Sequence, residues 1–378
     1  MKSVILKLIL NGIRFRIRKF LKKPLFPWAL TVAVTGRCNS RCVMCNIWRL
    51  SQQIPNLKEI ELKKDEIKRL LSNPLLSSLV ELDITGGEPF LRDDLVELVE
   101  VVKEVKEKNL KRLKTIAIAT NGFLTQKILR DVKSILEILK GSGIDLVMVC
   151  SLDGVGKLHE KIRRRRGAFE RLLSTLDGLL ELKSSYEDFW VGTKTTVSRL
   201  NIQGLEEIKT FGKQKGIFFQ IISPVIFTPV RYRNLERQNE LDPFPEFEKL
   251  LLDFYRKENF FYDYYAFFII KLLKEGRRPP CTAMFNYLYI DYDGSCYPCP
   301  LLENKIGNIR NSSIEQIWRN ATKIREKISK LPLCTSCTEP GLLRFTLPLE
   351  GFWFARFLIK RRCLQKTFYS NGFHKYLT

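Results

Sequence analysis

Histidine is nearly absent from this chain of 378 residues, which contains two histidines beside ten cysteines. A zinc site completed by histidine is therefore disfavoured. The chain also lacks a secretory signal sequence, so its closely spaced cysteines indicate metal sites in a reducing cytoplasm rather than disulfides. No apolar run reaches the roughly twenty residues that are needed to span a bilayer. Without internal repeats or low-complexity tracts, the chain is expected to form one or two globular domains.

Acidic residues are missing from one end of the chain and nearly missing from the other. The net charge is +23; residues 1–25 carry eight Lys or Arg and no acid, and residues 344–378 carry seven against Glu350 alone. Apolar residues lie among these cations, as in segments that enter the headgroup region of an anionic membrane. A basic helix packed on the protein explains the pattern equally well, and both interpretations stay open. No RNA-binding signature accompanies the charge, so no nucleic-acid partner is expected.

Three cysteines lie within eight residues, at Cys38, Cys42 and Cys45, after an apolar run over 28–34 that predicts a strand. Three thiolates at this spacing can hold one corner of an iron–sulfur cube and leave one iron open to another ligand. A zinc knuckle needs a fourth ligand nearby, but the next cysteine is Cys150. A redox pair formed by Cys42 and Cys45 does not need Cys38. The spacing therefore favours an iron–sulfur cluster.

Predicted strands and helices alternate after the cysteine loop, which is typical of parallel βα units. Polar or glycine-rich loops follow the first four strands. In βα barrels the functional groups collect in the loops at the carboxyl ends of the strands, so we expect one site at this rim. The six predicted strands cover 28–34, 79–85, 115–119, 145–151, 191–197 and 218–224. The three loops after the cysteine loop are Gly86–Pro89, Thr120–Gly122 and Ser151–Gly154.

These motifs resemble those of the radical S-adenosylmethionine (SAM) superfamily. The resemblance implies an α/β fold with a partial (βα)6 TIM-like barrel, and a SAM-binding [4Fe–4S] cluster held by Cys38, Cys42 and Cys45. The residue before the third cysteine is usually aromatic in the family and is Met44 here. Arg163 begins a run of four arginines, for which a solvated face is the alternative interpretation. The residues to which the resemblance gives SAM contacts are Met44, Gly86, Gly87, Glu88, Asn121, Ser151, Arg163 and Thr196.

A second group of cysteines lies near the C-terminus, at Cys281, Cys296, Cys299, Cys334 and Cys337. A predicted hairpin with its turn at Asp293-Gly294 and a predicted helix over 313–331 accompany them. This arrangement resembles the auxiliary-cluster domains called SPASM and twitch. The resemblance implies one auxiliary [4Fe–4S] cluster held by Cys281, Cys299, Cys334 and Cys337, with Cys296 to spare. Four thiolates also suit zinc, which remains the alternative.

Five segments are predicted from these patterns. They are a basic amphipathic segment (1–25), the barrel (26–225), an aromatic-rich connector (226–280), the auxiliary-cluster domain (281–340) and a basic aromatic tail (341–378). The connector's aromatic run, 260–268, is expected either to cover the barrel mouth or to pack two domains together. Cys150, at the end of an apolar strand, is expected to be buried, and Cys363 in the tail does not extend the auxiliary pattern.

The resemblance implies an oxidoreductase-type enzyme that reductively cleaves SAM to a 5′-deoxyadenosyl radical, which abstracts hydrogen from a substrate that the sequence does not identify. A fully ligated auxiliary cluster favours a net two-electron oxidation, such as a dehydrogenation or the maturation of a peptide, lipid or sugar. The implied electron donor is a flavodoxin- or ferredoxin-type protein. The alternative is a non-catalytic iron–sulfur or zinc protein, such as an electron carrier or a nucleic-acid-binding module.

The two ends of the chain give three further expectations. The short segment before the barrel disfavours a peptide substrate, and an end at Tyr376-Leu377-Thr378 rather than Gly-Gly disfavours a GTP cyclase. The expected location is the cytoplasm, with a peripheral position on the inner face of the membrane as the variant that the basic segments suggest.

Overall fold

A computed structural model describes residues 2–241, 246–256, 263–328, 330–360 and 372–377. Within these residues one sheet has nine strands in the order β6-β5-β4-β3-β2-β1-β7-β8-β9. The strands are β1 (Ala29–Thr35), β2 (Glu81–Gly86), β3 (Thr115–Thr120), β4 (Asp145–Ser151), β5 (Phe189–Val197), β6 (Phe219–Pro224), β7 (Tyr287–Ile290), β8 (Ser295–Tyr297) and β9 (Gly307–Asn308).

The first six strands pair in parallel and in sequence order, and helices connect them. All seven residues of β1 are buried, as expected for a strand with elements on both faces. In β4 the burial alternates from residue to residue, so one side chain in two faces the helical layer. The predicted α/β class and the predicted partial barrel are therefore confirmed.

Helices surround the sheet and also follow it towards the C-terminus. They are α1 (Lys2–Phe20), α2 (Leu50–Gln53), α3 (Leu57–Ile60), α4 (Lys64–Leu71), α5 (Leu95–Lys108), α6 (Thr125–Leu139), α7 (Lys157–Arg163), α8 (Ala168–Lys183), α9 (Leu205–Gln214), α10 (Gln238–Leu241), α11 (Phe247–Arg256), α12 (Asp263–Glu275), α13 (Ile314–Asn320), α14 (Thr322–Lys327), α15 (Pro332–Thr335), α16 (Pro340–Glu350) and α17 (Phe352–Lys360).

The predicted single helix over 313–331 is wrong, because the structure has two short helices there. Ser313 caps α13 by accepting from the Gln316 amide, and Ala321 leaves helical geometry with ψ at 26°. Each half docks on a different partner: Trp318 Nε1 donates to the Leu25 carbonyl, and Arg325 Nε donates to the Met284 carbonyl. Tertiary contacts thus override a continuous helical pattern.

The hairpin formed by β7 and β8 joins the barrel sheet. Ala29–Val32 of β1 pair in parallel with Tyr287–Ile290 of β7, on the side of β1 that is opposite to β2. The turn lies at Asp293-Gly294, where Gly294 has φ at +81° and its amide donates to the Asp291 carbonyl. The region that the sequence analysis separated as a domain is therefore continuous with the barrel through one edge of β1.

The C-terminal segment closes the end of the barrel at which the strands begin. Arg344 on α16 forms an ion pair with Glu81 at 3.1 Å, and Lys375 forms one with Asp145. Glu81 and Asp145 are the first residues of β2 and β4. Because these cations meet carboxylates at the amino ends of the strands, the segment fills that opening of the barrel.

The aromatic residues of the connector and the tail pack together. The Tyr264 ring lies 4.8 Å from the Phe373 ring, and the Phe267 ring lies 5.1 Å from the Phe357 ring, between centroids. Phe354, Phe357 and Leu358 of α17 are buried, so these side chains follow the second of the two interpretations, packing on the protein. Residues 260–262 of the aromatic run, Arg361, Arg362 and Cys363 lie outside the described residues.

The N-terminal helix α1 packs along α16 and α17 through Leu8, Gly12 and Phe15, which are buried. The Phe15 ring meets the Phe285 ring edge to face, with centroids 5.3 Å apart. None of the helices in the described part of the chain has the length and hydrophobicity that crossing a bilayer requires.

Candidate active site

The cysteine loop after β1 is anchored at its start by the buried carboxylate of Glu61. Glu61 Oε1 accepts from the Thr35 hydroxyl, from the Gly36 amide at 3.1 Å and from Arg37 Nε at 3.2 Å. At the other end of the loop, Asn234 Nδ2 donates to the Met44 carbonyl at 2.9 Å. These bonds hold residues 36–46 at the carboxyl end of β1 before any cofactor binds.

Gly86 and Gly87 allow the loop after β2 to run against the cysteine loop. The amides of Gly87 and Glu88 donate to the carbonyls of Thr35 and Arg37, both at 2.8 Å. A Cβ atom at Gly87 would lie 2.0 Å from the Arg37 carbonyl oxygen, and Gly86 has φ at +130°. The resemblance gave both glycines contacts with SAM, and their nearest neighbour here is the cysteine loop itself.

Glu88 is buried and joins the loops after β2 and β3. Its carboxylate accepts from the Thr120 hydroxyl at 2.9 Å, from the Asn121 amide at 2.7 Å and from the Phe90 amide at 3.2 Å. Burial nevertheless raises its pKa to about 7, against the lowering effect of these bonds. A cation beside Glu88 would favour the charged carboxylate. The site therefore suits an ammonium group.

Asn121 reaches from the loop after β3 to the cysteine loop. Its Nδ2 donates to Asn39 Oδ1 at 2.7 Å and lies 4.0 Å from Cys38 Sγ. Its Oδ1 accepts from the Phe123 amide at 3.0 Å, which fixes the orientation of the side chain. Asn121 thus lies beside a cysteine of the triad, in a buried position.

Arg163, at the end of α7, is buried beside the cysteine triad. Its Nη1 lies 3.2 Å from Cys42 Sγ, and its Nη2 forms an ion pair with Asp153. The Arg163 Nε atom is buried and has no hydrogen-bond partner among the described residues. A solvated face is therefore not the environment of this arginine, although it begins a run of basic residues.

Asp153 connects the loops after β4 and β5 through hydrogen bonds. Its Oδ1 accepts from the Thr196 amide at 2.8 Å, and its own carbonyl accepts from Asn201 Nδ2 at 2.9 Å. Its amide donates to His159 Nδ1, and burial lowers the pKa of that imidazole to about 3. Ser151 ends β4 two residues before Asp153 and is half-buried. Thr196 is therefore bonded to the Asp153–Arg163 pair through its amide, and Ser151 precedes that pair on the same strand end.

Met44 lies in a small apolar cluster with Val43, Ile162 and Leu241, apart from the main core. The Val43 amide donates to the Ile162 carbonyl at 2.9 Å, which ties the cysteine loop to α7. A methionine adapts to such an irregular apolar surface.

Burial raises the pKa of the Cys45 thiol to about 12, and it also raises the pKa of Cys38. The neighbouring Cys42 acts in the same direction on both, because thiolates that lie close together repel one another. Arg163 and Arg231 act in the opposite direction on Cys45. Three thiolates are stable together here only with positive charge among them, and an iron–sulfur cluster supplies that charge.

A second set of cysteines lines one small cavity between the hairpin and α16. Cys281, Cys299, Cys334 and Cys337 all border it, together with Arg278. Arg278 Nη1 donates to the carbonyls of Cys334 and Cys337 at 2.8 and 3.0 Å, which fixes the loop that carries both thiols. No three His, Cys, Asp or Glu side chains in the described ranges are placed to hold a metal ion, so neither these thiols nor those of Cys38, Cys42 and Cys45 form a preformed ion site.

Two further cysteines lie elsewhere. Cys296 is buried in β8 with its Sγ 3.7 Å from the Gly294 carbonyl oxygen, and it does not border that cavity. Cys150 is buried in β4, as the sequence analysis expected.

The interior of the barrel contains a cavity of about 530 Å3. Most of its wall is apolar, and its charged groups come from the strands, from the segment after β6 and from the C-terminal region. Lys194 on β5 pairs with Glu339 at 3.1 Å across this space. The apolar part of the cavity wall includes Val147, Val149, Trp190, Phe218, Ile221 and Phe345.

Sequence reasoning missed several residues of this region. Asp153 was seen only as part of a loop motif, and Arg231, Asn234 and Arg278 were not singled out at all. Arg231 precedes a segment in which the Tyr232 carbonyl accepts from the Asn46 amide and Asn234 holds Met44. No local pattern marks this segment, because its role comes from contacts with residues about 190 positions away.

Comparison with known proteins places these features in a family. Residues 32–211 match the family model described as the radical SAM superfamily, and residues 281–338 match the SPASM iron–sulfur cluster-binding domain. The first match implies SAM and a [4Fe–4S] cluster as cofactors, and the second implies an auxiliary iron–sulfur cluster, as the sequence analysis predicted.

The individual proteins that resemble this chain are named as enzymes with different substrates. The chain is 26% identical to an AdoMet-dependent heme synthase of Methanosarcina barkeri, over 80% of this chain and 84% of the relative. It is also 26% identical to a probable GTP 3′,8-cyclase of Methanococcus aeolicus, over 74% of this chain and 88% of the relative. The solved structure of anSMEcpe with bound AdoMet and a peptide aligns at a TM-score of 0.55 and 16% identity, over 90% of this chain and 99% of that one. The last likeness shows the fold.

Proposed function

Because this chain belongs to the radical SAM superfamily and carries a SPASM iron–sulfur domain, we propose that it reductively cleaves SAM and oxidises a substrate by two electrons. When the cluster and SAM are bound, they supply a 5′-deoxyadenosyl radical that abstracts a hydrogen atom. Cys38, Cys42 and Cys45 hold the first cluster. Cys281, Cys299, Cys334 and Cys337 hold the auxiliary cluster.

The observation that carries this proposal is the meeting of four loops at one rim of the barrel. Cys38 lies beside Asn121, and Cys42 lies beside Arg163. Glu88, in the loop after β2, accepts from the Asn121 amide in the loop after β3 and so connects these two loops. A SAM molecule at this rim finds a buried carboxylate for its ammonium at Glu88 and a guanidinium Nε without a partner at Arg163.

The chain's own residues hold this site in a fixed geometry. Glu61 and Asn234 fix the two ends of the cysteine loop, and Asp153 fixes Arg163. Met44, Ser151 and Thr196 border the same region and are the further SAM contacts that we propose. Since the anchors are buried, they need little reorganisation when SAM binds.

The four-cysteine cavity supports the second part of the proposal. A cluster with four cysteine ligands has no open iron for the substrate, so its role is to accept or relay an electron. This favours an oxidation over an isomerisation. We propose a flavodoxin- or ferredoxin-type protein as the source of the first electron.

Anaerobic reconstitution tests the proposal. We expect about eight irons per chain, in two [4Fe–4S] clusters, and release of 5′-deoxyadenosine when dithionite and SAM are added. A Cys42→Ala variant is expected to lose the deoxyadenosine and to keep the auxiliary cluster. SAM binding without any cleavage would leave a non-catalytic iron–sulfur protein as the explanation, and four irons together with one zinc would assign zinc to the second site.

We also propose that α1 makes a peripheral contact with the cytoplasmic face of an anionic membrane. One face of α1 is buried on the protein, and the opposite face exposes Leu6, Leu10, Ile13 and Ile17, of which Ile17 is 53% exposed. Lys7, Arg14 and Arg18 flank this stripe at helical spacing. Apolar side chains with flanking cations suit the headgroup region of a bilayer, so the two interpretations of the N-terminal sequence are compatible.

A further inference from the structure

Most of the charged groups in the barrel cavity neutralise one another. Lys194 pairs with Glu339, Arg344 pairs with Glu81, and Lys375 pairs with Asp145. All six side chains border the cavity. Because three cations are matched by three carboxylates, these groups leave no net charge to attract a ligand.

Arg231 borders the same cavity and is not matched. Among the described residues, its guanidinium forms no ion pair and no hydrogen bond. The Tyr232 ring centroid lies 5.2 Å away, and Glu339, already paired with Lys194, and Asp83 interact with Arg231 electrostatically without an ion-pair contact. Its backbone amide donates to the Pro300 carbonyl at 3.2 Å, so the main chain is fixed although the charged group is not. The desolvation free energy of a guanidinium that faces a mostly apolar cavity without a partner is unfavourable unless an anion binds to it.

The position of Arg231 links the cavity to the cysteine loop. The Asn46 amide, next to Cys45, donates to the carbonyl of Tyr232, next to Arg231. Arg231 also lies within electrostatic range of Cys45. An anionic group held by Arg231 therefore lies at the end of the cavity that faces the proposed radical source.

We propose that Arg231 binds a carboxylate of the substrate and that the substrate is a largely apolar carboxylic acid lying in the barrel cavity. This inference rests on the proposed function, because it takes the cavity as the place where hydrogen is abstracted. It names a substrate class that neither the family nor the relatives fix.

The charge balance favours a carboxylate over a phosphate. One guanidinium neutralises the single charge of a carboxylate and can hold it through two parallel hydrogen bonds. A phosphate monoester carries about −1.5 to −2 at neutral pH and would bring excess negative charge into the cavity. Asp83, which borders the cavity and forms no ion pair within the described part of the chain, adds to that excess whenever it is ionised. A phosphate is thus the poorer ligand for this set of residues.

The rest of the cavity fits an apolar body. Val149 and Trp190 border it from the barrel, and Phe345 borders it from α16. A volume of about 530 Å3 lies within the usual range of small-molecule sites, roughly 300–1,000 Å3.

Three fluorescent probes with one apolar group test the proposal: 1-pyrenebutyrate, 1-pyrenebutanol and 1-pyrenebutyl phosphate. Binding to the reconstituted full chain is measured by pyrene emission without SAM, so the result does not depend on turnover. We expect pyrenebutyrate to bind more tightly than the other two. Arg231→Gln should weaken its binding by about tenfold or more, since a hydrogen bond to a charged group is lost, and should leave pyrenebutanol binding within about twofold. Arg231→Lys should keep part of the preference.

Arg199→Gln, at an exposed arginine outside the cavity, serves as the control and should change neither probe. Equal loss of butyrate and butanol binding in Arg231→Gln, or no saturable binding of butyrate to the unmodified chain, overturns the proposal. Tighter binding of the phosphate overturns the choice of a carboxylate. Failure of the unmodified chain to release 5′-deoxyadenosine would instead count against the proposed function, because the probe experiment needs no SAM cleavage.

Discussion

Arg163 Nη1 lies 3.2 Å from the Sγ atom of Cys42, although Cys42 follows β1 and Arg163 ends α7, which follows β4. The same guanidinium pairs with Asp153, which also receives the Thr196 amide. One buried cation thus connects the cysteine loop after β1 with the loops after β4 and β5. The site depends on this connection as much as on the cysteines.

Removal of the Arg163 charge is expected to destabilise the folded chain strongly. Arg163→Leu leaves the Asp153 carboxylate buried without a partner, and breaking a buried pair in this way costs roughly 3–5 kcal/mol. The cost should fall when Asp153→Asn is added, because the neutral amide needs no counter-charge. Urea unfolding of the cluster-free chain measures both variants. A change within about 0.5 kcal/mol, as at ordinary surface positions, would mean that Arg163 is solvated after all.

Gly87→Ala should displace the first cluster and spare the second. The new Cβ atom would overlap the Arg37 carbonyl at 2.0 Å, and backbone atoms cannot yield as a flexible side chain can. The cysteine loop must therefore shift. We expect about four irons per chain in place of about eight, with no 5′-deoxyadenosine formed. Gly341→Ala is the matched control, because its nearest atom beyond the neighbouring residues is 3.5 Å away. Full iron content in Gly87→Ala would contradict the role of this contact.

The sequence predicted the parts of the site that local patterns carry. Each of these parts is visible in a short stretch of sequence. They are the alternation of strands and helices, the triad of Cys38, Cys42 and Cys45, and the loop at Gly86-Gly87. The pairing of β1 with β7 joins residues more than 250 positions apart, and hydrophobic periodicity within one segment cannot predict such a contact. The run of arginines alone would place Arg163 in solvent, and only the family resemblance placed it at the site.

Substrate identity is the least predictable property. The sequence analysis set GTP cyclases aside, yet one relative over most of this chain is named a probable GTP cyclase and another a heme synthase. The shared motifs bind cofactors, whereas the substrate meets cavity residues such as Arg231 that follow no motif.

The two cysteines of β8 and the following loop should behave differently. Cys299→Ser is expected to lose the auxiliary cluster, because Cys299 borders the four-cysteine cavity, whereas Cys296→Ser should keep both clusters. Iron content and the electron paramagnetic resonance spectrum of the reduced protein separate the two results. Loss of the auxiliary signal in Cys296→Ser, with Cys299→Ser unaffected, would exchange their roles.

The stability of the chain should depend on pH through Asp83. Burial and the nearby Glu81 raise the pKa of the Asp83 carboxyl, so the folded chain holds this proton more tightly than the unfolded chain does. The resulting stabilisation is complete below the unfolded pKa and is lost as pH rises through the raised folded pKa. Asp83→Asn, which keeps an acceptor for the Thr31 hydroxyl, should therefore differ less in stability from the unmodified chain at pH 5 than at pH 8. At pH 8 it should be more stable by about 1 kcal/mol or more.

The control for this pH effect is Glu66, whose pKa the Arg310 guanidinium lowers to about 2. A lowered pKa gives a contribution that is present above the unfolded pKa, so the effect of Glu66→Gln should be constant between pH 5 and 8. Thermal unfolding of the cluster-free variants at both pH values measures this. If the stability difference between Asp83→Asn and the unmodified chain is also the same at pH 5 and pH 8, the pKa of the Asp83 carboxyl is not raised in the folded chain.

The exposed stripe of α1 should decide whether the chain binds a membrane. Leu6, Leu10, Ile13 and Ile17 recur at helical spacing on the face opposite to the buried Leu8 and Phe15. Full burial of each isoleucine in the acyl region is worth about 1.5–3 kcal/mol, so Ile13→Asp with Ile17→Asp should remove cosedimentation with vesicles that contain phosphatidylglycerol. Leu250→Asp, at an exposed leucine on α11, is the matched control and should still bind. Because Lys7, Arg14 and Arg18 flank the stripe, binding should also fall with added salt and with neutral phosphatidylcholine vesicles. Equal sedimentation of the double variant and the unmodified chain, or no binding by either, would leave the stripe as a docking surface for another protein.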